Sequence, residues 1–114
     1  MAKPKLPDPL SRRHMIEKDL GADASLRTAE AYLEEGRSLE AIEFLRKADA
    51  EERLTELRAE AVRGGDAFLF REIVGATEVA ADRAEWTALA DSAEAAGKLH
   101  YATEARRQAE AGKV

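Results

Sequence analysis

The spacing Trp86-x2-Leu89-Ala90-x2-Ala93-x3-Gly97-x-Leu99-x2-Ala102-x6-Ala109 limits what this chain can fold into more than any other feature. Small and apolar residues recur at helical steps on both sides of a glycine. That is the pattern of two antiparallel helices meeting closely across a tight turn. The order occurs earlier as Ser25-x2-Thr28-Ala29-x2-Tyr32-x3-Gly36-x-Ser38-x2-Ala41-x3-Leu45-x2-Ala48. A weaker copy lies between them, Leu54-x2-Leu57-Arg58-x2-Ala61-x3-Gly65-x-Ala67-x2-Phe70-x3-Val74-x2-Thr77. The turn glycines are 29 and 32 residues apart. A period near 30 with two helices per period is the signature of an α-solenoid.

Composition says how such a stack must cohere. Of 114 residues 45% are hydrophobic but only 5% aromatic, so alanine must carry close helix packing. The length allows one domain, expected over residues 8–114. No cysteine is present, which excludes disulfides and thiolate chemistry and fits a reducing compartment. With no signal-peptide pattern and no long apolar run, the expected location is the cytoplasm, away from membranes.

Residues 1–7 hold two prolines and two lysines and read as a flexible basic arm. Asp8-Pro9 starts helix 1, expected over 8–20 with Leu10, Ile16 and Leu20 as anchors. Asp23 and Ser38 are the expected caps of the next two helices, Asp49 with Glu52 that of the fourth, and Asp66 that of the fifth. Helix pairs are expected over 22–48, 50–76 and 82–111. No alternating strand pattern interrupts them. The expected fold is all-α, with about seven helices. Phe68, Leu69, Phe70, Ile73 and Val74 make the fifth helix apolar on more than one face, so Phe68 and Phe70 are either central core or a secondary interface.

Across residues 22–110 the chain resembles the tetratricopeptide repeat family. The first and last copies follow the family's order of aromatic, leucine, small, tyrosine, glycine and alanine positions. The resemblance implies three antiparallel helix pairs stacked in a right-handed superhelix, behind one N-terminal helix. The repeats are shorter than the family's, and the usual closing proline is missing. Arg58 and Phe70 stand at small positions of the middle pair, implying that it is splayed or rotated. Arg106 stands at a large apolar position.

The resemblance also implies a concave groove lined by the first helix of each pair. Its positions would be Leu26, Glu30, Leu33 and Glu34, then Thr55, Ala59, Val62 and Arg63, then Thr87, Asp91, Glu94 and Ala95. That lining is mostly acidic, so the partner it implies is a peptide or helix of basic or mixed charge. Against this stands the plainer reading of solvated helix faces with i,i+4 pairs.

Residue chemistry points away from an enzyme. His14 and His100 stand apart, with no neighbour at metal-ligand spacing. Adjacent acids such as Glu34-Glu35 and Glu51-Glu52 point in different directions on a helix. Gly64-Gly65 lacks any phosphate-loop context and reads as a turn. No cofactor or metal is expected. The expected function is a non-enzymatic interaction module; the alternative is a self-associating homodimer. A nucleic-acid accessory using Arg12, Arg13, Arg106 and Arg107 is disfavoured by the net charge of −5.

Overall fold

The computed structural model describes residues 6–17 and 21–111. They form seven helices and no strand: α1 (Pro9–Glu17), α2 (Ala22–Glu34), α3 (Ser38–Lys47), α4 (Glu51–Gly64), α5 (Ala67–Ala76), α6 (Arg83–Ala95) and α7 (Leu99–Ala111). The expected Leu20 anchor and most of the basic arm lie outside the described residues. By packing, the chain divides into two compact units, Met1–Leu54 and Thr55–Val114, with the boundary inside α4.

In the first unit α2 packs on α3, and α1 rests on α3. Tyr32 and Phe44 are fully buried and stacked, with ring centroids 5.8 Å apart. Ala29, Ala41, Ile42 and Leu45 close around them. Leu10 is not the anchor expected, being 65% exposed. Arg12 ties α1 down instead, donating a 2.9 Å hydrogen bond to the Glu40 carbonyl with its guanidinium against Tyr32 and Phe44.

The second unit contains the α6–α7 pair, with α5 packed on α7. Here alanine dominates: Ala90, Ala93, Ala102, Ala105 and Ala109 are all buried. The Phe70 and Trp86 rings meet at 81°, in a T-shaped pair with centroids 4.8 Å apart. A Cβ built on Gly65 would stand 2.4 Å from the Ala93 Cα, so the turn before α5 presses directly on the α6 backbone.

Counted from each turn glycine, the same five positions are buried in all three copies. They lie 11, 7 and 4 residues before it and 5 and 8 after it. The facing pairs meet in register. Tyr32 meets Phe44 across the first turn. Arg58 lies over Phe70 across the second, at 5.4 Å, where the other copies have two alanines.

The turns share one hydrogen-bond pattern. Gly36, Gly65 and Gly97 have positive φ and donate to the carbonyl three residues back; the next residue donates to the one five back. This is the Schellman ending, which favours glycine because a side chain crowds the left-handed backbone. A fourth copy closes α3, and there the positive-φ residue is Asp49, at +56°. Asp49 therefore ends α3 rather than capping α4. Two other expected caps are also corrected. Asp23 sits inside the first turn of α2, behind Gly21, and Ser38 is already helical, behind Arg37. Asp8 and Asp66 do cap, accepting from the Ser11 and Leu69 amides at 2.8 and 3.0 Å.

Candidate functional site

The expected groove residues take different environments in the two units. On α2, Leu26 and Glu34 are exposed and Leu33 is half-buried. Glu30 accepts a 2.9 Å hydrogen bond from Arg53 Nε. On α4, Thr55, Ala59 and Arg63 are exposed, while Val62 is half-buried.

On α6, Thr87, Asp91 and Glu94 are exposed and, at steps of four and three, share one helix face. Arg106 of α7 reaches both acids, its Nη2 lying 3.2 Å from Asp91 Oδ1 and 2.7 Å from Glu94 Oε2. These bonds, to Glu94 first and then to Asp91, hold the Arg106 pKa above its ordinary value. A charge at an expected apolar slot thus bridges two candidate binding residues. Of the candidate secondary interface, Phe68 is 50% exposed, whereas Phe70 is fully buried against Trp86 and belongs to the core.

Arg58, placed by the sequence at a small position of the middle pair, has partners that sequence reasoning did not assign. Its Nε and Nη2 grip both Glu85 oxygens at 2.7 and 2.6 Å. Nη1 and Nη2 also donate to the Val79 and Ala80 carbonyls at 2.8 and 3.0 Å. Glu85 is itself the third residue of an Asp82 capping box, so one buried cation fastens the loop before α6 to α4. The hydrogen bonds from Arg58 hold the Glu85 carboxyl below the usual range against the opposing effect of burial. The Asp82-x-x-Glu85 spacing was the available signal. With its donors spent on one carboxylate and two carbonyls, Arg58 is a fastener within the unit.

The first unit also holds an open cavity of about 610 Å³. Leu6, Pro7, Pro9 and Leu39 form its apolar wall, and Arg12, Tyr32 and Arg37 line it beside Asp8 and Glu40. Both guanidiniums lie over the Tyr32 ring, at 5.6 and 5.2 Å. Arg37 is balanced by an ion pair with Glu40, and the Asp8 carboxylate is held low in pKa, chiefly by the Ser11 backbone amide. In sequence Arg12 reads as one more residue of a basic run. No periodicity marks it as covering a tyrosine.

Among the described residues no three His, Cys, Asp or Glu side chains converge as a metal site, and no helix is long and apolar enough to cross a membrane. No protein-family model, no curated protein and no solved structure matches the chain.

Proposed function

We propose that the protein is a non-enzymatic, tetratricopeptide-like binding module of the cytoplasm, and that the α6 face takes a peptide or helix bearing basic side chains. The observation that carries this is the Asp91–Glu94 pair. Both carboxylates are mostly exposed, 68% and 62%, yet both already reach one guanidinium. Their spacing therefore suits a partner's arginine or lysine. The Arg106 bridge is itself exposed and screened by solvent, so a partner can displace it. The second-unit helix pair beneath, packed through buried alanines, keeps the two acids in place.

The test is capture of lysine- and arginine-rich helical peptides against acidic controls. Asp91→Lys with Glu94→Lys should abolish capture and leave circular dichroism unchanged. Arg106→Gln should strengthen it by freeing the acids. Undiminished capture by the double variant overturns the reading.

One observation favours self-association as the second reading, the half-exposed Phe68 ring. A dimer seen by sedimentation and dispersed by Phe68→Asp would establish it. The nucleic-acid reading loses support because Arg106 and Arg107 are engaged by acids of their own unit and Arg12 by Glu40 and two rings.

A further inference from the structure

We draw no further inference here: the strongest candidate, the apolar surface patch at Phe68 in the first turn of α5, carries none because nothing in the structure shows what covers it.

Discussion

The α2–α3 and α6–α7 pairs obey one register and fill it in opposite ways. Four and eight residues from the turn, on either side, the first pair stacks Tyr32 on Phe44, while the last sets Ala93 and Ala105 at the same places. The first gains from aromatic area, the second from helices close enough for alanines to fill the space. The register therefore specifies burial but not volume. Volume is settled pair by pair, and that makes the comparison breakable.

Exchanging the two solutions should produce the largest effect. Phe44→Ala removes a ring from a fully enclosed place and should cost about 3–5 kcal/mol in denaturant unfolding. Ala105→Leu inserts bulk into a closely packed pair and should cost about 1–3 kcal/mol through displaced backbone. If Ala105→Leu is neutral, the second pair is loosely packed and the contrast fails.

Gly65 offers the next test, because its turn is loaded differently from its counterpart at Gly97. Both need positive φ, but a Cβ at Gly97 meets nothing within 4 Å, whereas at Gly65 it collides with the Ala93 backbone. Gly97→Ala should cost about 1–2 kcal/mol from the left-handed backbone alone. Gly65→Ala should add the cost of forcing α6 aside, reaching about 2–5 kcal/mol in all. Equal losses in thermal or chemical unfolding would show that α6 yields easily.

The middle copy resolves the same register with charge. Arg58→Met keeps much of the packing over Phe70 but strands Glu85 and two carbonyls. It should cost about 2–3 kcal/mol at neutral pH, less than for a fully enclosed pair because Glu85 is partly exposed. The loss should depend on pH. The Glu85 pKa is lower folded than unfolded, so its contribution is complete above roughly pH 5, where the unfolded carboxyl is already ionised. It disappears as pH falls through the lowered folded value. Wild type and Glu85→Gln should thus converge in stability in acid and separate above it; a constant gap would show that the carboxylate charge is not involved.

Much of this architecture was legible in the sequence, and, apart from the helix caps misplaced at Asp23, Ser38 and Asp49, the failures have a common cause. Helix number and the three glycine turns follow from rules acting within a few residues, 3.6-residue periodicity and the need for positive φ. What escaped was tertiary. Leu10 looks like an anchor by hydrophobicity, but Arg12 holds α1, because its long stem and flat head can cover two rings at once. Arg58 looks disruptive until Glu85 and the Val79 and Ala80 carbonyls converge on it from some twenty to thirty residues away. Among the candidate groove residues, exposure was foreseeable from pattern. The Arg106 bridge to Asp91 and Glu94 was not, since it joins two helices whose rotation the pattern leaves open.

Asp49 is the smallest test and the most local. It closes α3 with the hydrogen bonds that Gly36, Gly65 and Gly97 make, from Asp49 N to the Arg46 carbonyl and from Ala50 N to the Leu45 carbonyl. An aspartate tolerates φ of +56° better than most residues but still crowds the adjacent carbonyl. Asp49→Gly should therefore stabilise by about 0.5–1 kcal/mol, seen as a higher denaturation midpoint with an unchanged slope. Asp49→Ala, lacking both the glycine's freedom and the aspartate's local hydrogen bonding, should lose a similar amount. If both variants are destabilised alike, the Asp49 side chain itself contributes something that glycine cannot replace. The fourth turn would then differ from the other three in kind, despite its shared hydrogen bonds.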